Sequence, residues 1–289
     1  MFDLDAVGVG SNEEAASCRP VPLRSAAPCN RPVASLAELA DLLGLPLDLP
    51  ADMADIEFAV RRLNAGETLC RAGEEFESLY VVRSGFLKTV SFDGAGNEQV
   101  LAFPMRGDAI GVDGFDRGHF TEDAIALDSC HVIVVPFARI AGLGRHIPNV
   151  EKIVYSIFNR ELVHRQNMVR LLGMLNAEAR VAAFLLELSE RFGRLGCSKS
   201  AFVLRMTRQE LGSYLGIKLE TVSRALSAFA ALGLVDVSRR EMVLNDVAGL
   251  RRKLESSGAK DLMHRAGRQR AACAMPAPAR AASWSLMAA

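Results

Sequence analysis

Long uninterrupted apolar runs are absent from this sequence. Hydrophobic residues make up 50% of the 289 positions, yet no stretch reaches the ~18 apolar residues that a membrane-spanning helix needs. The first 14 residues are acidic and lack the basic-then-apolar order of a secretory signal. Both absences predict a soluble cytoplasmic protein, and the length is enough for about two domains.

Cysteine is sparse, and catalytic patterns are missing. The six cysteines are scattered along the chain, at Cys18, Cys29, Cys70, Cys130, Cys197 and Cys273. In a cytoplasmic chain of this size, that scatter indicates thiols or a redox or metal site rather than a disulfide framework. No nucleophile–base set and no phosphate-binding glycine loop is evident, which argues against an enzyme.

The sequence has no net formal charge at pH 7. However, acidic and basic residues are distributed unevenly along the chain. Residues 1–60 carry three Arg against ten Asp and Glu, whereas residues 197–256 carry ten Lys and Arg against six Asp and Glu. Residues 257–289 carry five Lys and Arg against one Asp. A basic C-terminal third suits a polyanionic partner.

Short β-rich runs separated by glycine turns fill residues 58–137. Asp93-Gly94 and Gly96-Asn97 indicate a hairpin turn among them. Many short strands at this spacing predict a small antiparallel barrel or roll. Just before it, residues 34–46 predict a short helix that Ser35 caps, with Glu38 three residues later.

Pro148 opens a long helical pattern that runs to about Met174. At ~1.5 Å per residue such a helix spans ~40 Å. Its apolar residues fall near heptad spacing, with Arg165 interrupting: Val150, Val154, Phe158, Leu162, Val169 and Leu172. The spacing alone fits two structures, packing on the helix's own domain or a two-stranded coiled coil in a dimer.

Residues 207–235 hold the strongest functional pattern. Thr207 is placed to cap a short helix whose third following residue is Glu210, and Gly216 allows the sharp turn into a second helix. We expect the core side of that second helix to be formed by Leu219, Val222, Leu226 and Phe229.

The other face of the second helix fits a DNA major groove. Glu220, Ser223 and Arg224 share it, and these side-chain types can bond base edges. A strand, residues 201–206, precedes the two helices, and a hairpin wing, residues 234–244, follows them. The candidate DNA-binding residues are Thr207, Arg208, Lys218, Glu220, Thr221, Ser223 and Arg224.

Taken together, these segments resemble the CRP/FNR family of bacterial transcription regulators, closest to its FNR-like branch. The resemblance covers about residues 58–250 and is carried by GETLCRAGE, SLYVVRSGFLKTV, RGDAIGVDGF, IPNVEKIV, NAEARVAAFLLELSERF and, most specifically, MTRQELGSYLGIKLETVSRAL. The family's E-x-x-S-R recognition pattern falls on Glu220, Ser223 and Arg224.

The resemblance implies an α+β fold in three parts: an antiparallel β-roll sensor of the cyclic-nucleotide-binding type, a long dimerisation helix and a winged helix-turn-helix. It favours the parallel dimer for the long helix. It also implies double-stranded DNA as a partner, read as palindromic TTGA-like half-sites, and contact with RNA polymerase.

The domain boundaries expected on this basis follow the changes in pattern. We expect a flexible arm over residues 1–33, the β-roll over 34–145, the dimerisation helix over 146–174, the winged helix-turn-helix over 175–256 and a disordered basic tail over 257–289.

Cyclic AMP does not suit this sensor. The places that the family's cyclic-AMP receptors use for the ribose and the cyclic phosphate fall on Val112, Glu122 and Asp123. Two carboxylates would face a phosphate where a cation is wanted, which is repulsive in a half-buried pocket. We therefore predict no useful affinity for cyclic AMP.

An FNR-type iron–sulfur cluster is not expected either. Its ligands could only be Cys18, Cys29, Cys70 and Cys130. Cys18 and Cys29 are widely spaced, and Cys130 lies three residues before the region where the resemblance places the fourth ligand. A thiol switch using Cys18 and Cys29 stays open. Haem has no suitably spaced ligand among His119, His131, His146, His164 and His264.

Two functions therefore follow from the sequence. The first is a DNA-binding regulator with no cofactor or an unidentified ligand. The second is a redox or small-ligand sensor (iron–sulfur, haem or thiol) that acts mainly through protein contacts and carries a vestigial helix-turn-helix. The intact recognition face favours the first.

Overall fold

The computed structural model describes residues 32–45, 56–146, 150–174 and 176–254. Apart from residues 32 and 33, the predicted arm lies outside these ranges, and so does the predicted tail.

Two antiparallel sheets form the N-terminal β-roll. The strand order is β1-β2-β9-β4-β7 in one sheet and β3-β8-β5-β6 in the other. The strands are β1 (Val33–Ser35), β2 (Glu57–Leu63), β3 (Thr68–Cys70), β4 (Ser78–Ser84), β5 (Leu87–Phe92), β6 (Glu98–Ala102), β7 (Ala109–Ile110), β8 (Asp123–Ala126) and β9 (Cys130–Pro136). The predicted antiparallel roll is confirmed.

The hairpin between β5 and β6 forms where the turn residues predicted it. The Asp93 carboxylate accepts hydrogen bonds from the backbone N–H groups of Ala95 and Asn97, both at 2.9 Å. Gly96 adopts a φ of 81°, a conformation that a residue with a side chain rarely takes. The turn is thus closed by its own residues.

Helix α1 (Leu36–Leu42) lies between the first two strands of the roll, β1 and β2. The Ser35 hydroxyl accepts from the backbone N–H of Glu38 at 3.1 Å, so the predicted cap is present and the helix begins after it. The Glu38 carboxylate in turn binds Arg83, which is only 3% exposed, at 2.6 Å. This partly buried ion pair connects α1 to β4.

Helix α2 (Phe137–His146) leads to the long helix α3 (Glu151–Met174). The start of α3 is buried: Ile153 and Ile157 pack in the same cluster as residues of α1, β4 and β9. Its C-terminal half carries exposed apolar side chains, at Leu162, Val163, Val169 and Leu172. The predicted long helix is therefore present. Its N-terminal half packs on the β-roll of the same chain, and its C-terminal half has exposed apolar side chains.

The C-terminal part is a winged helix-turn-helix, as predicted. Asn176 caps its first helix by accepting from the backbone N–H of Ala179 at 2.9 Å. The elements are α4 (Ala177–Arg194), β10 (Ala201–Val203), α5 (Arg208–Leu215), α6 (Leu219–Ala231), β11 (Val235–Ser238), β12 (Glu241–Leu244) and a last helix, α7, over 247–254. The three strands form an antiparallel sheet in the order β10-β12-β11.

One apolar cluster crosses from the β-roll into the winged helix-turn-helix. The Phe103 ring, just after β6, lies 5.1 Å from the Tyr214 ring of α5 and 6.1 Å from the Phe184 ring of α4, centroid to centroid. Phe86 of the roll lies 5.9 Å from Phe192 of α4.

No helix in the described part of the chain is long and apolar enough to cross a membrane.

The turn between α5 and α6 depends on a glycine inside a helix. A Cβ on Gly212 would lie 2.7 Å from the carbonyl oxygen of Ile217, which is backbone and cannot move aside cheaply. The close approach lets the chain fold back at Gly216, which caps α5 in the left-handed conformation, with a φ of 61°.

We predict that Gly212→Ala lowers the free energy of unfolding by about 1–3 kcal/mol, because the clash outweighs alanine's better helix propensity. The matched control is Gly142→Ala in α2, where an added Cβ meets nothing within 4 Å. That change should raise stability by up to ~1 kcal/mol. Denaturant unfolding measures both, and an equal gain at the two sites would contradict the prediction.

Candidate DNA interface and sensor cleft

The two faces of α6 have different chemistry. Val222, Leu226 and Phe229 are buried, whereas Glu220, Ser223 and Arg224 are exposed and Thr221 is half-buried. The expectation that Leu219 is buried is wrong: it is 42% exposed, because the helix begins there, beyond the edge of the core. The base-reading face predicted from spacing is therefore free of contacts that would cover it.

The capping arrangement of α5 is the one predicted. The Thr207 hydroxyl accepts from the backbone N–H of Glu210 at 3.1 Å, and the Glu210 carboxylate accepts from the backbone N–H of Thr207 at 2.7 Å. Arg208 follows the cap, and burial lowers the pKa of its guanidinium. Lys218, at the N-cap of α6, is exposed and makes no side-chain cap hydrogen bond.

The wing adds two cations that the sequence reasoning missed. Arg239 and Arg240 form the exposed turn between β11 and β12, and Arg239 has a φ of 54°. The Arg208 guanidinium lies near the Arg239 carbonyl oxygen, at 3.4 Å. The adjacent arginines in a predicted hairpin turn were the available signal, since phosphate contacts are commonly made by such exposed cations.

The interface between the β-roll and α5 was not visible in the sequence either. The Lys88 ammonium of β5 lies 2.7 Å from Glu98 and 3.1 Å from Glu210. Ser213 accepts from the backbone N–H of Val100 at 2.9 Å, which pairs the edge strand β6 with α5. Burial lowers the pKa of Lys88, but the hydrogen bonds to both carboxylates outweigh it and leave that pKa raised.

A cleft of 1190 Å³ lies between α3, α4 and the segment around β7. Val112 and Glu122 line it, while Asp123 lies in β8, where its carboxylate accepts from the backbone N–H of Ala72 at 2.7 Å. Glu122 is 9% exposed, and its carboxylate is bound by Arg165 of α3 at 2.7 Å. The acidic groups that the sequence placed here are thus engaged with the protein itself.

Burial raises the pKa of Glu122, and the hydrogen bond from Arg165 opposes that rise without cancelling it. A phosphate in the same place would meet this carboxylate. The expected lack of affinity for cyclic AMP remains a prediction, and its physical reason is the Glu122 carboxylate in the cleft.

The described cysteines do not form a cluster site. Cys70 and Cys130 are buried in one apolar cluster, and burial raises the pKa of each thiol to about 12. Among residues 32–45, 56–146, 150–174 and 176–254 no group of three His, Cys, Asp or Glu could hold a metal ion. Cys18, Cys29 and Cys273 lie outside those ranges.

Two of the described histidines hydrogen-bond through Nδ1, whereas the Nε2 of His164 is buried and has no hydrogen-bond partner among the described residues. The Nδ1 of His131 lies 3.1 Å from the Ser84 hydroxyl, and that of His119 lies 2.9 Å from the Arg117 carbonyl oxygen. His164 is half-buried on α3. The side chain of His146 and all of His264 lie outside the description.

Fold and surface together define a class: a β-roll joined by a long helix to a winged helix-turn-helix with an exposed polar reading face. Two family models match accordingly. The Crp-like helix-turn-helix domain matches residues 179–253, and the Cyclic nucleotide-binding domain matches residues 60–145.

Relatives place the chain more closely. It is 38% identical over 212 residues to the transcriptional activator protein FnrA of Stutzerimonas stutzeri, covering 72% of this chain and 87% of that protein. It is 35% identical over 211 residues, with the same coverages, to the transcriptional regulatory protein btr of Bordetella pertussis. The solved structure of FixK2 from Bradyrhizobium japonicum aligns with a TM-score of 0.62 at 28% identity, covering 68% of this chain and 96% of that one.

The chain belongs to the CRP/FNR family of DNA-binding transcription regulators. Its relatives are regulators and not enzymes.

We predict that native protein at pH 8 is alkylated by iodoacetamide at Cys197, which is partly exposed, well before Cys70 or Cys130. With a pKa of about 12, only ~10⁻⁴ of each buried thiol is ionised at that pH. Because the pKa is raised, both stay protonated until the pH nears 12. Peptide mass spectrometry reads each site, and guanidinium-unfolded protein is the control in which all sites react. Native labelling of Cys70 at the rate of Cys197 would contradict the prediction.

Proposed function

We propose that this regulator works as a cytoplasmic homodimer that reads a TTGA…TCAA-type palindrome with one α6 in each half-site. The observation that carries the proposal is the exposed Glu220, Ser223 and Arg224 face, held rigid by the buried Val222 and Phe229 on the other side. Arg can bond both acceptors of a guanine, and Glu can accept from the amino group of cytosine.

Phosphate contacts would orient this reader. We assign them to exposed groups around α6: Thr207 just before α5, Lys218 just before α6, and the wing residues Arg239 and Arg240. The assigned set also includes Arg208 and Thr221, which are half-buried. Such contacts fix the register of a protein on the duplex but carry no sequence information. Contact with RNA polymerase is part of the same proposal, and the naming of relatives as activators supports it.

The exposed stripe of α3 supports the dimer. Leu162 and Val169 are 57% and 71% exposed, and an apolar stripe on a helix needs a partner surface. A second copy of α3 supplies one at heptad spacing. Val150, by contrast, is fully buried in its own chain, and the Phe158 ring lies 5.2 Å from Phe115. We therefore place most of the seam in the C-terminal half of α3, reaching Leu172, with Val154 at its margin.

The domain boundaries given above, the arm and the tail included, stay part of the proposal. The competing function, a sensor that acts mainly through protein contacts, has no observation of its own in its favour. A gel shift at stated salt separates the two, because the competing function predicts no sequence-specific complex.

For base reading, we predict that Arg224→Ala weakens binding to the cognate palindrome by ~1–3 kcal/mol and relaxes preference at one base pair per half-site. Arg251→Ala, which removes the same charge from an exposed position on α7, is the control and should lower affinity without changing preference. Competition gel shifts with single-base-pair variants of the site measure both. If Arg224→Ala keeps wild-type affinity and preference, α6 is not the reader.

For the dimer, we predict that Leu162→Glu makes the protein monomeric at micromolar concentration, because two carboxylates would meet at the seam. Half-sites ~34 Å apart need both copies, so DNA affinity should fall with it. Asn167→Glu is the matched control, with the same added charge on an exposed position ~140° around α3. Sedimentation equilibrium measures the state. A dimeric Leu162→Glu variant that binds DNA normally would refute the seam.

A further inference from the structure

A charged residue lies on the apolar stripe of α3. Arg165 follows Leu162 by three residues and precedes Val169 by four, so it occupies a heptad position between two exposed apolar side chains. In a parallel pair of helices, residues at such a position face their own copies. Two Arg165 side chains would then meet at the seam, where like charges repel.

The structure supplies Arg165 with carboxylate partners. A terminal guanidinium nitrogen lies 2.7 Å from Glu122, and its Nε lies 2.6 Å from Glu161. Glu161 is one turn earlier on the same helix, so its bond says nothing about the β-roll. Glu122 comes from the β-roll, just before β8, and is the partner that ties α3 to another part of the fold.

Glu122 also depends on Arg165. Its side chain is 11% exposed, and a buried carboxylate stays charged only when a cation or hydrogen-bond donors meet it. Asp113 lies nearby, but its carboxylate is engaged by the backbone N–H and hydroxyl of Thr121, at 2.6 and 2.8 Å. Moving Arg165 away would thus leave Glu122 beside another acid in a low-dielectric place.

We propose that Glu122 is a built-in counter-ion that draws Arg165 off the dimer seam, so that dimerisation depends on the position of the β8 segment relative to α3. In the cleft, the Glu122 carboxylate occupies the position beside Arg165 that an anionic ligand would otherwise take. Displacement of Glu122, by a mutation or by a ligand in the cleft, leaves Arg165 with Glu161 on its own helix as its carboxylate partner, so that nothing from the β-roll draws the guanidinium away from the seam. This rests on the dimer proposed above.

The test compares dimer dissociation constants by sedimentation equilibrium for the wild type, Glu122→Gln, Arg165→Gln and the double variant Glu122→Gln/Arg165→Gln. Glu122→Gln should weaken the dimer by about tenfold or more, because the two Arg165 guanidinium groups are no longer drawn toward the β-roll and lie closer together at the seam. The double variant should regain at least wild-type dimerisation. Glu161→Gln is the matched control and should change the dissociation constant by less than threefold, because Glu122 still holds Arg165.

Salt dependence separates charge from structure. Raising the ionic strength from 0.05 to 0.5 M shortens the screening length to about 4 Å, so the Glu122→Gln dimer should become markedly tighter while the double variant changes little. A merely structural role for Glu122 would show no such response and no rescue by Arg165→Gln.

A Glu122→Gln variant that dimerises like the wild type, or a double variant that stays as weak as Glu122→Gln, would overturn the proposal. If the wild type is dimeric in either case, the proposed function stands and this inference alone fails. A monomeric wild type would remove both.

Discussion

The packing of the β-roll against α4 and α5 determines the position of α6, the helix that we propose reads DNA. Phe86 and Phe103 of the roll enter the same apolar cluster as Phe184, Phe192 and Tyr214. Aromatic side chains of this size bury large areas and hold specific ring geometries. Because α6 packs on α4 and α5 through Val222 and Phe229, its exposed face takes its direction from that cluster.

Polar groups at the rim of the same contact make it specific. Lys88 reaches both Glu98 on β6 and Glu210 on α5. Glu210 completes the cap of α5 with one oxygen and meets Lys88 with the other. The Glu210 side chain therefore both caps α5 and binds it to the β-roll, so a shift of the β5–β6 hairpin would also move α5.

The β-roll is a cyclic-nucleotide-binding fold, and the buried carboxylate of Glu122 lines its cleft. Glu122 is already paired with Arg165, and the thiols of Cys70 and Cys130 are held in the apolar interior with raised pKa values. Each of these groups serves packing or charge neutralisation within the chain. The described roll therefore contacts α3 through Glu122 and α5 through Lys88.

Sequence alone determined whatever is encoded within a few residues. The caps at Ser35 and Thr207 and the turn closed by Asp93 follow from side chains that bond their own neighbours, and the two faces of α6 follow from helical period. Tertiary structure decided which part of a periodic stripe is covered. Val150, just before α3, and Val169, within it, belong to one apolar stripe in the sequence, yet the first is buried and the second exposed. It also paired Glu122 with Arg165, 43 residues apart. The physical reason is that burial and ion pairing depend on which distant segment packs alongside. The spacing of residues within one segment does not show which distant segment that is.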